Sequence, residues 1–274
     1  MKKQLSIIVT SYKNPSLLRL CLESLKKNVL NTDCEILVVD SATEEDTETM
    51  MREEFEKIRF FPHQKNVGFA QLVNKGLREA KGEYLFIMNA DIIIEKKSID
   101  LLLDYVKAHP DIGVAGPKLL GFENETQSSC FRFYTPLTIL YRRTFLGRFG
   151  FTKKKINKFL YKDKNLNQPA EVDWIMGSAL MTSRKNFEKV GFWEQNFGLM
   201  YFEDVDWCRR FWEKGFRVMY YPYVSMFHYH GKGSASASAL KAIFFNKLAR
   251  EHVKSAMQYF WKYFGKQNPH KENG

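Results

Sequence analysis

The chain lacks the glycine signatures that hold phosphates on a loop. No GxGxxG and no GxxxxGK[ST] occurs in its 274 residues, which disfavours a dinucleotide oxidoreductase and a P-loop NTPase. It has no CxxC pair. Its four cysteines, Cys21, Cys34, Cys130 and Cys208, are scattered, so core thiols in a reducing compartment are expected rather than a zinc site or a disulfide framework. No apolar run approaches the ~20 residues of a membrane-spanning helix. The stretch Leu5–Val9 after Met1-Lys2-Lys3 is too short for a secretory h-region. A cytoplasmic protein is expected, peripheral on the inner face of the cell membrane. Internal repeats are also missing.

What is present is ordinary globular material, 45% hydrophobic and 27% charged, enough for a real core without staples. The formal net charge is +11, and its placement is informative. Residues 142–164 hold nine Lys/Arg against Asp163 alone, and residues 241–271 hold seven against Glu251, leaving the body mildly acidic. Both segments interleave aromatics with the cations (Phe149, Phe151 and Phe159; Tyr259, Trp261 and Phe264). That pattern fits an anionic membrane surface contacted through 142–164 and 241–266, a single-strand nucleic-acid surface, a homodimer interface, or a solvated helix packed by its apolar side.

Strands and helices alternate along the first half. Leu5–Thr10, Cys34–Val39, Ile58–Phe61, Tyr84–Met88 and Ile112–Ala115 read as strands. A helix begins at Asn14-Pro15, with Leu18, Cys21, Leu22, Leu25 and Val29 on one face. Further helices are expected over Gly68–Ala80 and Lys97–Ala108. This is the rhythm of an α/β domain with a mostly parallel sheet flanked by helices. It breaks after Pro117: Gly121–Gln168 shows no clean period. Order resumes with a strand over Val172–Met181, helices over Ser183–Val190 and Asp204–Lys214, and a strand over Phe216–Tyr221. Gly233–Ala239 reads as a small-residue hinge before an amphipathic helix from about Ser238 to Phe264. The division expected is a domain over 1–234, with a nucleotide-binding half at 1–117 and an acceptor-binding half at 118–234, followed by a basic-aromatic helix in 235–274.

Ligands of parallel α/β sheets sit beyond the carboxyl ends of the strands. Three strands end in polar residues: Thr10-Ser11-Tyr12, Asp40-Ser41 and Asn89-Ala90-Asp91. Each alone could be a turn or cap; together they suggest one crevice. Asp91 suits a divalent cation shared with phosphates. Glu203-Asp204-Val205-Asp206 opens a helix behind an aromatic stretch. A carboxylate there could take a proton from a hydroxyl, or simply favour the helix N-terminus. Of His228 and His230, which flank Tyr229, one would face the site.

In this order and spacing, SIIVTSYKN, ILVVDSAT, NVGFAQLVNKGLREAKGEYLFIMNAD, DWIMGSALMTSR, GLMYFEDVDWCRR and HYHGKGS resemble the inverting glycosyltransferases of family 2, which have the GT-A fold. QSSCFRFYTP and FEDVDWC…HYHG are similar to the bacterial rhamnosyltransferase-like branch. The resemblance implies that Thr10, Ser11, Tyr12 and Asp40 hold the nucleoside of a nucleotide-sugar, dTDP- or UDP-linked, with Asn66, Gly68 and Asn74 beside them. Asn89 stands where the family's metal motif has its first aspartate, and Asp91 anchors Mg²⁺ or Mn²⁺. Asp204 becomes the base, with Glu203 and Asp206 positioning acceptor or sugar. Trp174 and Gly177 wall the acceptor side, and His228 is a late metal or diphosphate ligand. The implied acceptor is a glycan or a polyprenyl-diphosphate-linked sugar. Two rivals are a sugar-nucleotide nucleotidyltransferase, which lacks its Gly-rich, Arg-containing loop at SYKNPS, and a non-catalytic nucleic-acid- or lipid-binding module. The latter explains the charge but not the acidic strand ends; nucleic acid is not the expected partner.

Overall fold

The computed structural model describes residues 3–29, 32–121, 123–229 and 247–270. The chain begins β1 (Leu5–Tyr12), α1 (Pro15–Asn28), β2 (Cys34–Ser41), α2 (Glu45–Glu54), β3 (Arg59–His63), α3 (Phe69–Glu79), β4 (Tyr84–Asn89), β5 (Ile92–Ile94), α4 (Ser98–Ala108) and β6 (Ile112–Leu120). It continues with β7 (Thr126–Gln127), β8 (Cys130–Phe131), α5 (Pro136–Arg143), a 3-10 turn (Phe145–Arg148) and α6 (Gly150–Phe159). The last elements are β9 (Ala170–Glu171), β10 (Trp174–Ile175), β11 (Ala179–Ser183), α7 (Arg184–Val190), α8 (Glu203–Glu213), β12 (Arg217–His228) and α9 (Lys247–Lys262).

The main sheet runs β3-β2-β1-β4-β11-β6-β12-β5. Strands β3, β2, β1 and β4 are parallel, β11 is antiparallel to both of its neighbours, and β12 lies parallel to β6. Thr10 is level with Asn89, and Ser11 with Asp40, so the polar strand ends do meet. Successive residues of the central strands enter different cores. Ile8, Leu37 and Ile87 join one with α3, α8 and α9, while Ile7, Val38 and Met88 join the other with α1 and α4. Burial on both faces is why these strands read as unbroken apolar runs. Helix α1 starts where expected: Asn14 Oδ1 accepts from the Leu17 N–H at 3.1 Å, with Pro15 in the first turn.

Four sequence expectations change. Helix α2 was not foreseen, because only Thr47, Met50 and Met51 of its ten residues are buried. The unpatterned stretch 121–168 contains α5 and α6, each no longer than ten residues. The strand expected over Val172–Met181 is two strands, broken by a turn at Gly177-Ser178. The strand expected to stop at Tyr221 continues past Pro222 to His228, through an irregularity between Tyr221 and Ser225. The final helix is described over Lys247–Lys262; its expected start, the Gly233–Ala239 hinge and His230 lie outside the described residues.

Candidate active site

At the ends of the parallel strands, Ser11, Asp40 and Ser41 are buried. Both carboxylate oxygens of Asp40 and the Ser11 hydroxyl lack a hydrogen-bond partner among the described residues. Leaving such groups unpaired costs roughly 1–3 kcal/mol each, so the crevice is built for donors and acceptors that a ligand brings. Its rim is the loop before α3. Asn66 Oδ1 accepts from the Gly68 N–H at 3.0 Å, and the Val67 N–H donates to Ser41 Oγ at 3.1 Å. Gly68 has φ +86, and a Cβ there would stand 3.1 Å from Leu199 backbone atoms, so both conformation and space require glycine. Tyr12 is exposed at the end of β1, level with Ser41. Asn74 does not belong to this crevice: its amide is spent on the Trp193 backbone, donating to the C=O at 2.8 Å and accepting from the N–H at 2.9 Å.

A cleft of about 730 Å³ opens next to these strand ends, lined by Asn89, Asp91, Trp174, Gly177, Glu203, Asp204 and His228 among others. Short links tie its walls together. The Thr10 hydroxyl donates to Asn89 Oδ1 at 3.0 Å, the Asn89 N–H to the Ser178 C=O at 3.0 Å, and the Gly177 N–H to Asp204 Oδ2 at 3.0 Å. The turn that splits the expected strand is therefore what presents an amide to Asp204. A Cβ on Gly177 would come within 2.9 Å of Trp193 and 3.0 Å of Phe69.

Helix α8 is launched from two consecutive non-glycine residues with positive φ, Tyr201 (+85) and Phe202 (+72). Such strain persists only where the surroundings enforce it, and here it aims the first turn of α8 into the cleft. Burial pushes the Glu203 and Asp204 carboxyls upward; the charge of Asp204 raises Glu203 further, while the Gly177 and Val205 amides hold Asp204 down. Glu203 is the one held further above the ordinary carboxylate range, which favours the proton there and the charge on Asp204. Asp204 has acceptor capacity left for a hydroxyl proton; Glu203 Oε2 is buried and unbonded.

Asp206, expected to help position acceptor or sugar, is located elsewhere. It is fully buried, with Arg210 Nε 2.8 Å from one oxygen, and the Tyr263 hydroxyl (2.7 Å) and Lys262 Nζ (2.6 Å) on the other. Two positions along a helix turn a side chain to the opposite side, and Asp206 joins α8 to α9 instead of facing the cleft.

The residues around Asp91 fit a cation. Gln127 Nε2 donates to the His228 C=O at 3.0 Å, which turns its Oε1 toward His228 Nδ1 at 2.8 Å. With Nδ1 turned to that oxygen, Nε2 faces Asp91 Oδ2 at 3.6 Å. A proton on the imidazole or a bound cation would balance the carboxylate there. Burial pushes the Asp91 carboxyl up to about 6, and Asp91 Oδ1 is buried without a bond. A hydrogen bond to the far ring nitrogen, as Gln127 makes here, orients an imidazole for ligation through the other. Among the described residues no group of three or more His, Cys, Asp or Glu has metal-site geometry, so other ligands would come from a bound phosphate or water.

Gln127 was missed as a site residue; its only trace in sequence is its place at the head of QSSCFRFYTP. Arg142 and His252 also line the cleft but were read only as charge and as a helix face. They are joined through aromatics: Arg142 Nη1 donates to the Tyr134 hydroxyl at 3.0 Å, and Phe202 packs against both Tyr134 and His252.

Comparison with known proteins fits this geometry. The family model described as Glycosyl transferase family 2 matches residues 6–191. The chain is 30% identical over 201 residues to "Rhamnosyltransferase WbbL" of Escherichia coli (strain K12), covering 73% of this chain and 69% of that one. It is 26% identical over 223 residues to an N-acetylglucosaminyl-diphospho-decaprenol L-rhamnosyltransferase of Mycobacterium tuberculosis, covering 76% and 71%. Among solved structures it resembles GalNAc-T7 with UDP, GalNAc and Mn²⁺, with a TM-score of 0.67 at 13% identity, covering 96% of this chain but only 48% of that chain. At such identity the likeness concerns the GT-A fold alone.

Proposed function

The chain belongs to glycosyl transferase family 2 and is a glycosyltransferase, and from that premise we propose an inverting transfer of a sugar, L-rhamnose foremost, from a dTDP- or UDP-linked donor. The acceptor is a hydroxyl of a glycan or of a polyprenyl-diphosphate-linked sugar in surface-polysaccharide synthesis. The observation that carries the reading is the placement of Asp204, anchored by the Gly177 amide and directed into the cleft. The curated relatives, both named as rhamnosyltransferases, support the choice of sugar.

In the reaction Asp204 takes the acceptor hydroxyl's proton as that oxygen bonds the anomeric carbon. The bond from that carbon to the diphosphate oxygen breaks at the same time, and its electron pair leaves with the nucleoside diphosphate. Thr10, Ser11, Tyr12, Asp40, Asn66, Gly68 and Asn89 hold the nucleotide-sugar, and the unbonded Ser11 and Asp40 oxygens accept its hydroxyl and ring N–H groups. Asp91, with His228 beside it, would hold Mg²⁺ or Mn²⁺, which neutralises charge on the departing diphosphate. Protonated Glu203 donates a hydrogen bond rather than competing as a base. Trp174 and Gly177 bound the acceptor side.

The test is Asp204→Asn, assayed with dTDP-rhamnose and a lipid-linked acceptor, with nucleotide binding followed by thermal shift. Transfer should fall by at least about 10³-fold, in the range of a lost general base, while the nucleotide still raises the melting temperature. Near-wild-type turnover would remove Asp204 from the role.

A further inference from the structure

The last helix has two apolar faces. One packs inward, with Ala256, Tyr259 and Tyr263 buried in the core. The other faces solvent: Val253, Met257 and Trp261 recur every four residues, with Phe264 just beyond. Met257 is 65% exposed, and Trp261 and Phe264 are each 86% exposed. A second exposed apolar set lies on α5, α6 and the residue between them that precedes α6: Leu137, Leu140, Phe151 and Phe149 are open to solvent. The two sets sit on elements that share the cleft. Helix α5 lends it Ile139 and Arg142, and α9 lends it His252.

Both sets carry cations. Arg250, Lys254 and Lys266 are exposed with the first, and Lys153, Lys154 and Lys155 with the second. Acid is scarce: Asp163 is paired with Arg132 at 2.8 Å, and Glu251 is half-buried. This fixes the kind of partner. A second copy meeting the same face across a two-fold axis would set these cations against one another. A single-stranded nucleic acid would use the aromatics as stacking platforms but gain nothing from Leu137, Leu140, Val253 and Met257, which have no π-face. An anionic bilayer interface accepts both the aliphatic and the aromatic side chains and is drawn to the lysines.

We propose that α5–α6 and α9 form a two-part docking surface for an anionic lipid bilayer, flanking the cleft so that it opens at the membrane. Of the aromatics that suggested a membrane contact from sequence, Phe159 and Tyr259 are core. Met257, Trp261, Phe264, Leu137, Leu140 and Phe151 are the inserting residues. The inference is independent of which sugar is moved.

Trp261 reports on it directly, because Trp174, Trp193 and Trp207 are buried and Trp212 is half-buried. Full-length protein should float with vesicles of phosphatidylcholine plus phosphatidylglycerol, not with phosphatidylcholine alone, and its tryptophan emission should shift to the blue. Trp261→Ser and Phe264→Ser, both exposed and so harmless to folding, should each weaken flotation by about tenfold, the loss expected for one buried aromatic. Thermal stabilisation by the nucleotide should be unchanged, which keeps this test separate from the transferase reading. Absence of flotation at physiological salt overturns the proposal. So does an emission shift that appears with rising protein concentration and no lipid, which would mean self-association, or a shift produced by oligo-dT but not by vesicles.

Discussion

The strand-end side and the helical side of the molecule treat buried polar groups in opposite ways. At the ends of β1 and β2, Ser11 and Asp40 are buried with oxygens that bond to nothing described. On α8, Asp206 is buried just as deeply and is met by Arg210, Lys262 and Tyr263. The first arrangement is costly until a ligand arrives; the second is complete without one. Asp204 stands between them, anchored by two amides yet open to the cleft. Carboxylate burial alone therefore does not identify a site here; its partners do.

That contrast can be broken at four points. The largest effect separates two neighbours on one helix. Asp204→Asn should lose about 10³-fold or more in turnover with little change in melting temperature, and Asp206→Ala should do the reverse. Removing one partner of a buried ion pair costs about 3 kcal/mol or more, so Asp206→Ala should lower the urea midpoint clearly while the fraction still folded transfers sugar. Equal damage to turnover and stability in both variants would mean the two carboxylates are not functionally distinct. Next in size is Asp40→Ala. Deleting an unpaired buried carboxylate should raise the stability of the ligand-free protein, by about 1–3 kcal/mol, while weakening nucleotide binding as read by calorimetry. A fall in ligand-free stability would show that Asp40 has a structural partner. The smallest is a pH effect on the cation. With its carboxyl raised to about 6 by burial, Asp91 is ionised above that pH and protonated below it. Mn²⁺ affinity should be level above pH 6 and decline about tenfold per unit beneath it, and Asp91→Asn should flatten the profile. The same raised carboxyl makes the metal-free protein lose stability as pH climbs from the ordinary aspartate value through about 6, because the folded state holds that proton more tightly than the unfolded chain.

How much of this was legible in the sequence depended on where each residue's partners lie. Strands β1, β2 and β4 were readable because burial on both faces leaves continuous apolar runs, and their polar ends marked the crevice. Helix α2, mostly polar, left no period to read. The break at Gly177-Ser178 was hidden because Trp174-Ile175 and Ala179–Ser183 are each strand-like; only the fold shows that the turn serves Asp204. Asp204 and Asp206 were indistinguishable as a cluster, since the residues that claim Asp206, Lys262 and Tyr263, lie more than fifty positions away. Asn74 was misplaced for the same reason, its partner being the backbone of Trp193. Gln127 became meaningful only once β12 carried His228 to it.

The clamp at Asp206 also sets a timetable. Proteins are made from the N-terminus, and two of the three groups that complete this carboxylate come from residues 262 and 263. Arg209 is likewise finished late, by donating to the Gln267 carbonyl at 2.8 Å. While the chain is still emerging from the ribosome, the residues of β1, β2 and β4 are made well before these partners. The buried carboxylate of Asp206 on α8 is completed only when α9 docks behind it. A nascent or C-terminally clipped chain would thus carry Asp206 buried with Arg210 alone of its three partners.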